Sequence, residues 1–177
     1  SNITGRLKGQ SIDSLVLNAG GSFPVSSTVD GFETNFAVNH LAGYLLLRLL
    51  EPHLSQGATV VMTASGTHDP EEKTVLPPPR HADAFLLAYP DRAPERDTSP
   101  LAAAGRAYAS SKLCVVLTAR AFAQQEDIRR RNISVIAYDP GPVPGTGLIR
   151  DRGVLIGFVW NRLLPFLRRF RSNLNSI

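Results

Sequence analysis

Short apolar blocks and longer amphipathic stretches take turns along this chain, and glycine or proline marks nearly every change. Residues 12–18, Ile-Asp-Ser-Leu-Val-Leu-Asn, run into Ala19-Gly20-Gly21. That is the pattern of a buried strand stopping at glycines, which let the backbone turn or come close to a ligand. From Gly31 to Leu50 the apolar residues Phe32, Phe36, Leu41, Leu45 and Leu49 recur at helical spacing, and Pro52 falls where such a helix should stop. Residues 58–63, Ala-Thr-Val-Val-Met-Thr, follow Gln56-Gly57 and predict a second buried strand, with Ser65 just past its end. The rhythm then fails over 66–105, which holds seven of the 13 prolines, including Pro77-Pro78-Pro79. A loop of that length in a compact domain suggests function, here a proline-rich insert shaping a substrate site. Helical spacing returns from Tyr108 to about Arg130, with Leu113, Val116, Leu117 and Ala121 along one side. Asn132 to Tyr138 predicts a third strand, entering Asp139-Pro140-Gly141-Pro142-Val143-Pro144-Gly145.

The order strand, helix, strand, loop, helix, strand implies an α/β fold with parallel strands and right-handed crossovers. In open sheets of this kind, ligands bind beyond the carboxyl ends of the strands. Asn18, Ser65 and Asp139-Pro140 all mark those ends. The C-terminal segment 150–177 is expected to add a helix on the substrate side. Within 154–171, apolar blocks alternate with Asn161-Arg162 and Arg168-Arg169. The longest uncharged run there, Gly153 to Asn161, is far short of the ~20 residues that span a bilayer, and Pro165 interrupts any helix. A helix packed on the domain is the plainer reading; peripheral membrane contact through 154–171 is the sharper one.

Composition narrows the class. A chain of 177 residues, 43% hydrophobic and 19% charged, reads as one soluble globular domain. The single Cys114 excludes an internal disulfide and a cysteine-rich zinc site, and no metal site is expected. The net charge of +4 comes mostly from arginines at 129–131 and near the C-terminus. Such clusters are more often solvated or dipole-complementing than nucleic-acid binding, so no nucleic-acid partner is expected. No signal peptide is apparent, which points to a cytoplasmic or membrane-peripheral protein.

Chemistry concentrates in Tyr108-Ala-Ser-Ser-Lys112. Positions i and i+4 share a helix face, so phenol and ammonium meet. A free tyrosine has a pKa near 10 and is a poor acid or base at neutral pH; bringing it to neutrality corresponds to about 4 kcal/mol of preference for the phenolate. A lysine cation favours that change and makes Tyr108 a usable acid/base for a carbonyl–alcohol reaction. Each residue also has an ordinary reading: Ser65 as a turn former, Asn39 as a locally bonded helix residue, Gly20-Gly21 as a turn, the Tyr108–Lys112 pair as a surface contact. A serine hydrolase using Ser65 with His68 or His40 is a further alternative, but Ser65 lacks a Gly-x-Ser-x-Gly elbow.

Taken together these residues resemble the short-chain dehydrogenase/reductase family. Asn18-Ala19-Gly20 resembles its Asn-Ala-Gly element, and Asn39 in Phe-Ala-Val-Asn-His-Leu resembles the asparagine of its fourth helix. Ser65 resembles its strand-end serine, Tyr108 and Lys112 match its Tyr-x-x-x-Lys pair, and Pro140-Gly141 resembles its Pro-Gly turn. Gly31-Phe32-Glu33, the long insert and Pro-Gly-x-Val-x-x-Thr-Gly-Leu at 140–148 are similar to protochlorophyllide reductase-like and retinol dehydrogenase-like members. The resemblance implies a Rossmann-like doubly wound parallel sheet and an NAD(P)-dependent oxidoreductase, NADP slightly favoured, acting on a small hydrophobic substrate. It implies Tyr108, Lys112, Ser65 and Asn39 as catalytic residues, the last holding a water that links Lys112 to solvent. Asn18, Ala19, Gly20, Tyr108, Lys112, Pro140, Gly141 and Val143 would bind cofactor, and a homo-oligomer is an expected assembly.

One element of the family pattern is not found. A glycine-rich turn after the first strand normally cradles the pyrophosphate at a helix N-terminus. Gly141, Gly145 and Gly147 match its spacing, but they follow the tyrosine element, and Pro142 and Pro144 remove amide donors. The expectation is therefore a partial sheet lacking its first three strands, on the order of 80 residues, with residues 1–177 forming one incomplete domain. Strand 12–18 should then present a bare apolar edge. The competing expectation is a non-catalytic truncated module that binds a partner but no dinucleotide.

Overall fold

The computed structural model describes Gly5, Leu7 and residues 9–141. Val143, the 150–177 helical segment and the 154–171 membrane contact lie outside the described residues. Strand β1 is Ile12–Leu17. Helix α1 starts at Thr34–Phe36, passes through a π-turn at Ala37–Leu41 and continues over Ala42–Leu50. Strand β2 is Leu54–Thr63. Short 3₁₀ turns at Gly66–His68 and Pro70–Glu72 open the insert, and α2, Ala84–Ala88, lies within it. Helix α3, Pro100–Ala123, is followed by α4, Glu126–Arg130, and β3, Ser134–Tyr138.

The three strands are parallel in the order β1-β2-β3. Leu15, Val60 and Val135 lie side by side in the register, as do Val16, Val61 and Ile136. Because side chains alternate faces, these rows belong to opposite faces of the sheet. The core gathers on the first: Leu15, Val60 and Met62 pack with Leu47 and Leu50 of α1 and with Val115, Ala119 and Phe122 of α3. A second cluster, Phe36, Ala88 and Cys114, joins the insert to the helices.

Four details depart from the sequence reading. Strand β2 begins four residues before the expected Ala58, but regular pairing resumes only at Thr59, past a bulge containing Gly57 at φ +75. Helix α3 begins at Pro100, so the insert ends earlier than 105. The expected inward residues of α1, Leu45 and Leu49, are exposed, whereas Leu47 and Leu50 are buried. On α3 the predicted side fails too: Leu117 and Ala121 are exposed, and the covered side carries Tyr108, Ser111, Lys112, Val115 and Phe122.

Candidate active site

The register fixes where the candidate residues meet. Leu17 pairs with Met62, and Thr63 pairs with Tyr138, so the three strands end side by side. Asn18, one residue past β1, accepts a hydrogen bond at Oδ1 from Thr63 Oγ1 at 2.8 Å. The main-chain oxygen of Thr63 in turn accepts from Lys112 Nζ at 2.7 Å. Ala64 N donates to Tyr138 O at 2.8 Å, tying β2 to β3 at the same level. One polar chain thus crosses the strand ends and receives the ammonium from α3.

Lys112 and Tyr108 are only 5% and 6% exposed. Lys112 Nζ lies 5.8 Å from the centroid of the Tyr108 ring, within cation–π range. Burial depresses the Lys112 ammonium to about 8, against the opposing pull of the Asp139 carboxylate. The desolvated cation is costly to hold, and the bond to Thr63 O and the Asp139 carboxylate offset part of that cost.

Asn39 sits in the π-turn of α1. π-turns inside α-helices often mark functional positions. Here the turn aims the amide at the segment after β1: Asn39 Oδ1 accepts from Gly21 N at 2.8 Å, and Nδ2 donates to Gly21 O at 2.9 Å. Nδ2 also donates to Ser111 Oγ at 3.1 Å, and Ser111 Oγ donates to Tyr108 O at 2.6 Å. A Cβ built on Gly20 would lie 2.7 Å from Asn39 Oδ1, so glycine is required for this approach. Both amide donors of Asn39 are engaged in these contacts, which hold the segment after β1 against α3. Ser111, which the sequence reading passed over, is the link between clamp and helix; no periodicity signal distinguishes it from Ser110.

Ser65 lies two residues past β2 and caps the 3₁₀ turn Gly66–His68. Its Oγ accepts from Thr67 Oγ1 at 3.1 Å and from Thr67 N at 3.4 Å. Both are accepting roles, which leaves the serine O–H to donate. The hydrolase alternative fails on geometry: His68 Nδ1 contacts Ser65 O at 2.7 Å rather than the hydroxyl, and His40 stacks between Phe36 and Tyr44 on α1. Pro140 and Gly141 follow β3, with Gly141 at φ +66.

Two cavities lie away from these residues. One of about 480 Å³ sits between the insert and α3, against Arg80, Leu87, Asp97 and Arg106; another of about 490 Å³ is bounded by Phe32, Phe36, His40, Tyr44 and Phe85. The candidate residues instead gather on the strand-end face. Among the described residues no helix is long and apolar enough to cross a membrane.

Parallel strands carrying this polar chain at their carboxyl ends, with a Tyr-x-x-x-Lys helix behind it, define a Rossmann-like oxidoreductase architecture. The chain belongs to the short-chain dehydrogenase/reductase family. It is 33% identical over 166 residues to a WW domain-containing oxidoreductase of Drosophila melanogaster, covering 93% of this chain and 36% of that protein. It is 32% identical over 161 residues to human retinol dehydrogenase 12, covering 89% and 44%. A Caenorhabditis elegans short-chain dehydrogenase/reductase solved with cofactor superposes with a TM-score of 0.55 at 23% identity, over 86% of this chain and 48% of that one. The chain thus spans less than half the length of these three proteins. No family model matches it.

Proposed function

We propose that this chain carries the catalytic, nicotinamide-side part of an NAD(P)-dependent oxidoreductase, with residues 1–177 forming a single incomplete domain. The observation that carries the reading is the buried Tyr108–Lys112 pair, its ammonium anchored on Thr63 O between the strand ends. Lys112 has three donors and gives one to Thr63, leaving two suited to a ribose diol. Asn18, Ala19 and Gly20, exposed beside that ammonium, and Pro140, Gly141 and Val143 complete the proposed cofactor contacts. NADP is favoured over NAD by family resemblance. When bound, the nicotinamide supplies or accepts the hydride.

The chain's own residues handle the proton. Tyr108 Oη donates to the substrate oxygen in reduction and recovers the proton in oxidation. Lys112 stabilises the phenolate left behind, and the Ser65 O–H holds the substrate oxygen as charge develops. Asn39 acts as a positioning residue, holding Gly21 and, through Ser111, the backbone of Tyr108. An apolar carbonyl or alcohol, or a conjugated double bond, is the proposed substrate class; the name of the human relative supplies an apolar alcohol. The insert and 150–177 would shape that side.

Equilibrium titration of the chain with NADPH and NADH, followed by nicotinamide fluorescence and calorimetry, tests the cofactor claim. Saturable binding with one form preferred is expected. In the enzyme, Tyr108→Phe should lose at least 10²-fold in turnover, the low end for general acid–base catalysis, with cofactor affinity kept. A folded chain that binds neither dinucleotide would show that binding requires the glycine-rich part not found here, and a Tyr108→Phe enzyme that still turns over would refute the proposal.

A further inference from the structure

Asp139 lies outside the group of residues assigned above, yet its carboxylate touches two of the loops that form the site. Gly66 N, directly after Ser65, donates to Asp139 Oδ2 at 2.7 Å. Gly141 N, in the turn after β3, donates to Asp139 Oδ1 at 2.9 Å. Each oxygen therefore holds one backbone amide, and the two amides belong to different strand-end loops. Amides bonding to an ionised acceptor make short, strong hydrogen bonds. The approach is close: a Cβ built on Gly66 would lie 3.1 Å from Asp139 Oδ2. Gly141 adopts its turn at φ +66, a conformation other residues reach only with strain.

We infer that Asp139 is a positioning residue that couples the Ser65 turn to the Pro140–Gly141 turn, so that displacement of either loop is transmitted to the other. Ser65 is placed for the substrate oxygen and Pro140-Gly141 for the cofactor, a placement that rests on the proposed function. The coupling itself is a statement about two hydrogen bonds on one side chain. The sheet holds the same strands together one step earlier, through Ala64 N and Tyr138 O at 2.8 Å. Beyond that point, among the described residues, Asp139 joins the two loops through its carboxylate. Its charge also supports the Lys112 cation, so one carboxylate bears on the serine, the turn and the lysine. A side chain at 139 with no acceptor oxygen would remove both of these bonds.

Nuclear magnetic resonance of the 177-residue chain tests this directly. Trans-hydrogen-bond couplings are expected from both the Gly66 and the Gly141 amide nitrogens to the Asp139 carboxyl carbon. Absence of either coupling in the folded chain overturns the inference, whether or not the chain binds a dinucleotide. Variants then separate coupling from general stability. Asp139→Ala should speed amide exchange at Gly66 and Gly141 together by at least tenfold, leaving the Ala64 amide at its wild-type rate. Asp139→Asn, with one acceptor oxygen, should release one of the two amides and keep the other. Unchanged exchange at both amides in Asp139→Ala would overturn the inference. NADPH titration supplies the functional readout: in the wild type, Gly66 and Gly141 signals should shift with the same midpoint, and in Asp139→Ala the Gly66 shift should fall by at least half. A full Gly66 shift in Asp139→Ala also overturns the coupling. If NADPH shifts neither signal in the wild type, this chain does not bind the dinucleotide by itself, while the couplings still decide the role of Asp139.

Discussion

At Lys112, burial and function pull against each other. The ammonium is bonded to Thr63 O, but loss of solvent depresses it to about 8. The unfolded chain, with lysine near 10.4, then holds the extra proton over the window from about 8 to 10.4. Where the unfolded state binds more protons, stability rises with pH. The fold should therefore gain stability through that window, on the order of 3 kcal/mol if Lys112 acted alone. Lys112→Met should remove the gain and flatten the curve between pH 7.5 and 10, apart from a constant offset for the lost bond to Thr63. Denaturant titrations of both proteins across that range provide the measurement; parallel curves would show that Lys112 is not desolvated in solution. The same cation assists Tyr108, so activity should decline as pH rises past about 8.

At the scale of elements, a charged cluster ties the insert to α3 beside the apolar contacts. Arg106 donates from Nε and Nη2 to the two oxygens of Asp97 at 2.8 and 2.9 Å, and also to Pro78 O. Arg80 reaches the same carboxylate from within the insert. The pair is mostly shielded from solvent, and the hydrogen bonds from Arg106 lower the Asp97 carboxyl from its ordinary value. Arg106→Ala should cost about 2 kcal/mol, as loss of a charge-assisted pair does, and should open 76–97 to limited proteolysis. Arg106→Lys should restore little, because an ammonium cannot form the fork. Protection equal to wild type in Arg106→Ala would mean that apolar contacts alone hold the insert. This contact also explains why the start of α3 was illegible. Residues 100–107 are rich in alanine but lack an apolar stripe, and Gly105 lies where a Cβ would meet Pro77 Cδ at 3.1 Å and Leu76 Cδ2 at 3.2 Å. A tertiary crossing set that glycine, and local pattern carries no trace of it. In α1 the cause is different: the extra residue of the π-turn rotates every later position by roughly 100°, which turns Leu45 and Leu49 outward and brings Leu47 and Leu50 in. In α3 the reading inverted because Tyr108, Ser111 and Lys112 occupy the covered face, so polarity marked the inside of the helix.

At the scale of the whole molecule, the parallel course of the strands and the placing of Asn18, Ser65 and Pro140 just past their carboxyl ends were legible, because parallel topology forces strand ends together. The division of the sheet into two unequal faces was not, since Leu15 and Val16 are alike in chemistry and differ only in register. Among the described residues, α1 and α3 cover one face, and Leu15 on it is 8% exposed. On the other face Val16 is 61% exposed, beside Ile136 and Tyr138, which are also exposed. The two neighbours should therefore respond very differently to substitution. Leu15→Ala removes core volume and should cost 2–5 kcal/mol, roughly the range for buried leucine. Val16→Ala should cost less than about 0.5 kcal/mol, and Val16→Lys should leave the fold intact while lowering self-association through the apolar face. Denaturant unfolding and sedimentation velocity on the three variants measure both effects. Equal losses at 15 and 16 would mean that the second face is buried in solution and that the sheet is covered on both sides. A large loss at 15 alone would establish a sheet whose catalytic end is built while its second face stands open.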